Sequence, residues 1–344
     1  MAPRILRLAT RGSPLALSQV ELVAAAIEAS SAGRVVVEPF TVETQADRHT
    51  SVPLHALGGR GVFVTEVERA VLDGRADAAV HSAKDVPSSP GLSTLEIAVV
   101  LERDDPRDCL VGRALGELAP GARVATGAAR RRAQLAWLRP DLTFEELRGN
   151  LGTRLSKVPE GGAVVTAYAA LRRLGRGAEA ASVFSPTEMM PQVGQGTVVV
   201  SCLPGDGETR ELLAPAHHPD SARALAAERS FLASVGGGCD LPVGAYASLS
   251  GGASARGGSW LRLEALIASF DGHVVVRAAT EGSASEPEAL GARLARELLE
   301  ARGGAALLGH LGKPIPSAPS APAEPPGQRV PSTDAGGFVP ELLP

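Results

Sequence analysis

The sequence is short of cysteine, short of lysine and free of long apolar runs. Its three cysteines in 344 residues, Cys109, Cys202 and Cys239, form no CxxC pair and have no histidine at zinc spacing. That argues against a disulfide framework and a structural zinc site, and no metal is expected. No uncharged apolar stretch approaches the roughly 18 residues of a membrane span, so no membrane partner is expected. The opening MAPRILRLAT has no apolar core of the kind a secretory signal needs. Nor is there an excess of positive charge: 34 basic residues against 38 acidic ones give a formal net charge of -4. A nucleic-acid partner is therefore not expected, while a local basic pocket remains allowed. These absences point to a cytoplasmic protein with reduced thiols, divided at this length into two or three domains.

Only Lys84, Lys157 and Lys313 are lysines, which leaves 31 of the 34 basic residues as arginine. In so biased a chain a single arginine says little, and a retained lysine says somewhat more.

What is present reads as alternating strands and helices. Ile5 to Thr10 reads as a strand and Pro14 to Ala29 as a helix, started by the hydroxyl of Ser13 and by proline at the first helical position. Arg11-Gly12-Ser13 between them forms an anion-friendly turn. Val35–Val37 and Phe40–Val42 suggest a second strand, and a helix from Val62 to Asp73 and strands at Asp77–Val80 and Leu95–Val100 follow. The plan then restarts at Arg123–Thr126 with a helix from Arg130 to Leu138, then a strand from Gly162 to Tyr168. Thr197–Cys202 is placed to return to the first sheet. Two α/β lobes so connected leave a central cleft at the carboxyl ends of their strands. After about residue 219 a helix, three strands and closing helices at Pro287–Ala301 and Ala305–Leu311 read as a smaller α+β domain. Residues 313–344 carry 9 of the 26 prolines and no apolar periodicity, the pattern of a disordered tail.

Three groups of residues are candidates for chemistry. Arg130, Arg131, Arg132, Arg139, Arg148, Arg154 and Lys157 concentrate positive charge. They read either as a solvated face or as guanidinium forks aimed into one cleft for carboxylates or phosphates. His81-Ser82-Ala83-Lys84-Asp85 ends a buried strand on a mount stiffened by Pro87. Lys84 and Asp85 are a surface pair or a site, and His81 reads as a packed core histidine. Cys239, after three glycines, sits in a loop or a hairpin turn, whereas Cys202 reads as inert packing.

Six motifs resemble the porphobilinogen deaminase family, in its order and spacing from residue 4 to about 311. They are Arg7 to Leu17, His81 to Pro87, Glu102 to Asp108, Leu147 to Leu155, Val193-Gly194-Gln195-Gly196, and Gly237-Gly238-Cys239 with Pro242. The resemblance implies two periplasmic-binding-protein-like α/β lobes with a central cleft plus a smaller α+β C-terminal domain. Residues 1–101 with 197–217 would form the first domain, 102–196 the second and 218–312 the third. It implies a monomeric transferase that condenses four porphobilinogen molecules, loses ammonia each time, and releases hydroxymethylbilane. The covalent cofactor would be a dipyrromethane held by thioether to Cys239, and the catalytic carboxylate Asp85. Arg11, Ser13, Phe63, Ser82, Lys84, Thr126, Arg130, Arg131, Arg148, Asn150, Arg154 and Gln195 would meet cofactor or substrate. Where the family has Gly-Thr-Ser-Ser, this chain has Ala125-Thr126-Gly127-Ala128, and its Thr-Arg-Gly-Asp stretch is Thr44-Gln45-Ala46-Asp47 here. A second reading, from the two-lobed architecture alone, is a non-catalytic binder of a small anion.

Overall fold

The computed structural model describes residues 3–44, 64–89, 91–238, 240–250 and 259–309. Phe63, Cys239, residues 45–47 and the tail at 313–344 lie outside the described residues. The chain runs β1 (Arg4–Arg11), α1 (Pro14–Ser31), β2 (Val35–Val42), α2 (Thr65–Leu72), β3 (Ala78–Ser82) and β4 (Glu96–Val100). It continues as β5 (Asp108–Gly112), β6 (Arg123–Ala125), α3 (Ala129–Leu138), β7 (Thr143–Glu145), α4 (Leu151–Leu155), β8 (Ala163–Ala167), α5 (Tyr168–Arg173) and β9 (Ala180–Val183). Then come β10 (Val198–Cys202), α6 (Gly207–Leu213) and α7 (Pro219–Ser234). The last elements are β11 (Val243–Ser250), β12 (Trp260–Ala268), β13 (Val275–Ser283), α8 (Pro287–Arg296) and α9 (Gly304–Leu308).

Local chemistry explains the first unit. Ser13 keeps an extended backbone and its Oγ accepts from the Ala16 amide at 3.3 Å, while Pro14 supplies the preset φ of the first helical turn. Along β1 the side chains alternate. Leu6 and Leu8 are fully buried in one cluster with Val20, Val23 and Ile27 of α1, and Ala9 joins Val67, Ala70 and Val71 of α2 in another. A sheet covered on both faces is why its strands read as nearly continuous apolar runs. The second strand expected from 35–37 and 40–42 is observed as one unbroken strand, Val35–Val42. Pro39 does not interrupt it because β2 is the edge of its sheet, where a missing amide donor costs no ladder bond.

The two lobes share one plan. The first sheet is ordered β2-β1-β3-β10-β4 and the second β7-β6-β8-β5-β9. In each, three parallel strands are followed by one antiparallel strand in fourth place and then an edge strand. The fourth-place strands, β10 and β5, are the ones the chain enters directly after crossing between lobes. The expected return of Thr197–Cys202 to the first sheet is observed, with Val199 opposite His81. The third unit is the antiparallel sheet β11-β12-β13, packed with α7 and α8 around Phe231, Leu261, Leu263 and Leu294.

Candidate active site

Two turns from the first lobe make one wall. β1 ends on Arg11, Ser13 caps the start of α1, and β3 runs into a single 3-10 turn, Ala83–Asp85. Arg11, Ser13, Gln19, His81, Ser82 and Asp85 line a pocket of about 60 Å³. Gln19, on α1, donates from Nε2 to Ser82 Oγ at 2.7 Å and so ties the two turns together. His81 is buried, its Nε2 has no partner, and burial pushes its pKa down to about 4. It is a neutral packed histidine, as the sequence reading held, yet it borders the pocket. Lys84 is half-buried and crowded by protein. Burial and the nearby Arg131 and Arg154 pull its pKa down to about 8, against the opposing pull of Asp85 and Asp108.

The facing wall is built by the second lobe on a single buried carboxylate. Asp108, at the start of β5, is fully buried. Burial alone would raise its pKa, but Arg130 and Arg131 outweigh that and hold it at about 2. Arg131 donates from Nε to Asp108 Oδ1 at 2.9 Å, and Arg130 Nη1 lies 2.8 Å from Oδ2. Gln195, also fully buried, donates from Nε2 to Asp108 Oδ1 at 3.0 Å and to the Pro106 carbonyl at 2.7 Å. Two guanidinium groups thus share one carboxylate, and positive charge is left over. Arg130 additionally donates to the Met190 carbonyl at 2.5 Å, while its Nε and Nη2 are buried without a partner. Unmade donors of this kind are costly until something accepts from them.

The structure divides the arginine cluster that the sequence groups together. Arg154 belongs to the site: burial lowers its pKa, as do Arg131 and Arg11, and Asp85 opposes them. Arg148 pairs with Glu146 at 2.8 Å at the entrance of its loop. Arg132 instead lies 6.0 Å from the Phe144 ring, Arg139 pairs with Asp141 at 2.7 Å, and Lys157 is exposed. On α3 helix periodicity separates them: Arg130 and Arg131 lie at buried positions and Arg132 is exposed. Asn150 spends its Oδ1 on the Thr153 amide at 2.9 Å, capping α4. Thr126 is buried, and its Oγ1 accepts from the Ala128 amide at 3.3 Å.

Several site residues were not singled out from sequence. Gln134 grips the Met190 peptide at both ends: its Oε1 accepts from the Met190 amide at 2.7 Å and its Nε2 donates to the carbonyl at 3.1 Å. Arg173, nearly buried, donates to the Gly196 carbonyl at 2.6 Å. Arg103 meets the fully buried Glu228 at 2.5 Å, and Glu228 also accepts from the Gly194 and Ala247 amides, each at 2.8 Å. For Asp108 and Glu228 a signal existed, an acid placed within an otherwise apolar strand or helix face. For Arg173 there was none in an arginine-rich chain.

Fold and site together define a two-lobed α/β protein whose junction surrounds one exposed carboxylate with cations suited to a small polyanion. The family description "Porphobilinogen deaminase, dipyromethane cofactor binding domain" matches residues 6–211, and "Porphobilinogen deaminase, C-terminal domain" matches residues 222–300. The chain belongs to the porphobilinogen deaminase family. A protein of Roseiflexus castenholzii (strain DSM 13941 / HLO8) named porphobilinogen deaminase is 46% identical over 311 residues, 88% of this chain and 99% of its own. One of Syntrophobacter fumaroxidans (strain DSM 10017 / MPOB) with the same name is 42% identical over 305 residues, 87% of this chain and 96% of its own. A solved structure of the methionine binding protein MetQ aligns with 65% of this chain and 94% of its own at 12% identity and a TM-score of 0.39, too loosely to bear on the site. Among the described residues no helix is long and apolar enough to cross a membrane.

Proposed function

We propose that this chain acts as a hydroxymethylbilane synthase on porphobilinogen, with Asp85 as the catalytic carboxylate and Cys239 as the attachment point of the dipyrromethane. The observation that carries the reading is the setting of Asp85. It is exposed at the end of a rigid turn, within the field of Lys84 and Arg154, and faces a wall with cationic charge to spare. The residues present fit an acidic linear pyrrole, because the two orphaned donors of Arg130 need an acceptor and each pyrrole carries acetate and propionate groups. When bound, the dipyrromethane supplies the primer on which the chain of pyrroles is extended.

Four porphobilinogen units join head to tail, four ammonia molecules leave, and water releases the product. Loss of ammonia from the aminomethyl group leaves a methylene-pyrrole cation. A carboxylate at that point stabilises the cation and accepts from pyrrole N–H groups, so its effect grows along the reaction path. Arg11, Lys84, Arg131, Arg148 and Arg154 hold the side-chain carboxylates, each charge-assisted hydrogen bond contributing about 1.5–3 kcal/mol. Ser13, Ser82 and Thr126 add hydroxyls, and Phe63 an aromatic face. Gln195 and Asn150 shape the site, the first by bracing Asp108 and the second by capping α4. The domain division at 101/102, 196/197 and 217/218, a monomeric state and a cytoplasmic location belong to the same proposal. The family favours this reading over the non-catalytic anion binder.

The choice of thiol has independent support. Cys109 and Cys202 are buried; the Cys109 thiol is pushed up to about 12 by burial, and that of Cys202 is raised by burial as well. Neither is a thiolate at neutral pH. Intact mass is the test: the chain should carry two pyrrole units, Cys109→Ser and Cys202→Ser should keep them, and Cys239→Ser should lose both mass and activity. An adduct on a peptide containing Cys109 or Cys202 would overturn the assignment.

A further inference from the structure

The carboxylate of Asp85 makes no hydrogen bond or ion pair among the described residues, so its position is set by its backbone. That backbone is held from behind by α7. Ala222, Leu225 and Arg229 lie on one face of this helix, at i, i+3 and i+7. Leu225 packs in one cluster with Ala83 and Val86, the residues two before and one after Asp85, with Ala222 against its edge. Gly194, at φ +72°, approaches so closely that a Cβ there would stand 3.0 Å from the Ala83 Cβ and 3.1 Å from Leu225. Arg229 closes the mount. Its Nη1 donates to the Val86 carbonyl at 3.0 Å and its Nη2 to the Pro87 carbonyl at 2.7 Å. This side chain is half-buried, burial lowers its pKa, and it has no ion-pair partner among the described residues. A half-buried cation spent on two consecutive carbonyls holds backbone, where a docking contact would do with less.

We propose that Arg229 is a positioning residue for Asp85, fixing the exit of the acid's turn from the same helix that leads into Gly236-Gly237-Gly238-Cys239. The inference rests on the reading of Asp85 given above. Removing the clamp frees the peptides on either side of Pro87, just past the acid's turn, and lets the carboxylate wander, and misplacement of about 1 Å costs on the order of a hundredfold in rate. Arg229 touches none of the cations that hold carboxylates, so binding should stay as it is.

The experiment compares full-length Arg229→Met, Arg229→Lys, Asp85→Asn and Ser230→Ala by intact mass, melting temperature, and kcat and KM for porphobilinogen. Ser230, the next residue, donates to the Glu288 carbonyl at 2.7 Å within the third unit and serves as the structural control. Arg229→Met should keep the cofactor mass and KM within about twofold while kcat falls roughly tenfold to a hundredfold. Arg229→Lys, with one point donor, should recover part of that loss, and Ser230→Ala should lower melting temperature alone. If Arg229→Met does not fold, Arg229→Gln, which keeps one donor, takes its place under the same criteria. Wild-type kcat in the Arg229 variant, or loss of its cofactor mass, overturns the inference. Near wild-type turnover of Asp85→Asn sinks the catalytic reading itself, whatever Arg229 does.

Discussion

The two lobes repeat one strand plan but handle charge in opposite ways. In the first lobe Asp85 stands exposed on a turn, with Lys84 half-buried beside it and Arg11 on the neighbouring turn. In the second lobe the charges are sunk: Arg130, Arg131 and Asp108 are buried and tied to one another before any ligand arrives. The first arrangement suits a group that must meet changing chemistry, since an acid held by its backbone keeps its lone pairs available. The second suits binding, since guanidinium groups already fixed by a buried partner lose little entropy when a carboxylate reaches them. One architecture therefore carries a reactive wall and a gripping wall.

The sharpest way to break this comparison is to remove charge from each wall in turn. Asp85→Asn keeps shape and removes the anion, so single-turnover ammonia release from cofactor-loaded enzyme should drop by about 10²–10⁴ with substrate affinity nearly unchanged. A parallel loss of affinity would make the first wall a gripping wall too. Asp108→Asn should act the other way, on folding and cofactor retention. It strands two buried guanidinium groups and should cost about 3–5 kcal/mol, read as a lowered melting temperature and incomplete cofactor mass. The pH dependence carries the same sign. The folded pKa of Asp108 is depressed from 3.8 to about 2, so its contribution is complete above about 4 and is lost as pH falls through about 2. The melting curve of Asp108→Asn should be flatter than that of the wild type across that window.

The smallest expected effect comes from the Thr126-Gly127-Ala128 loop. A Cβ on Gly127 would stand 2.8 Å from the Leu147 carbonyl oxygen, a backbone atom that cannot swing aside. Serine at Gly127 would therefore press on the 147–148 loop. Gly127→Ser should cost about 1–3 kcal/mol through overpacking, while Ala128→Ser should be tolerated and raise cofactor retention. Equal stability of the two variants would show that the 147–148 loop yields.

Much of this was legible in the sequence. The Ser13-Pro14 helix start, the buried strand before Lys84 and the return strand at Val198–Cys202 each follow from local rules, and all three appear where expected. The junction was less legible. Asp108, Gln134, Gln195 and Glu228 derive their roles from partners 23 to 125 residues away, and no periodicity encodes such pairings. The division of the arginines was hidden for a related reason. Arg131 and Arg132 are neighbours in sequence, yet one helical step turns the first inward and the second out to solvent.

The fourth-place strands also set an order of events at birth. All five strands of the second sheet lie between residues 108 and 183, so that sheet can close as soon as its own segment has left the ribosome. The first sheet begins at residue 4 yet waits for β10, which ends at residue 202, and until then β3 and β4 have no strand between them. The nascent chain must carry that open gap through the synthesis of about a hundred residues, at a speed of roughly 5–20 residues per second. The later lobe closes first, and the wall that bears Asp85 is finished only when the chain returns to it.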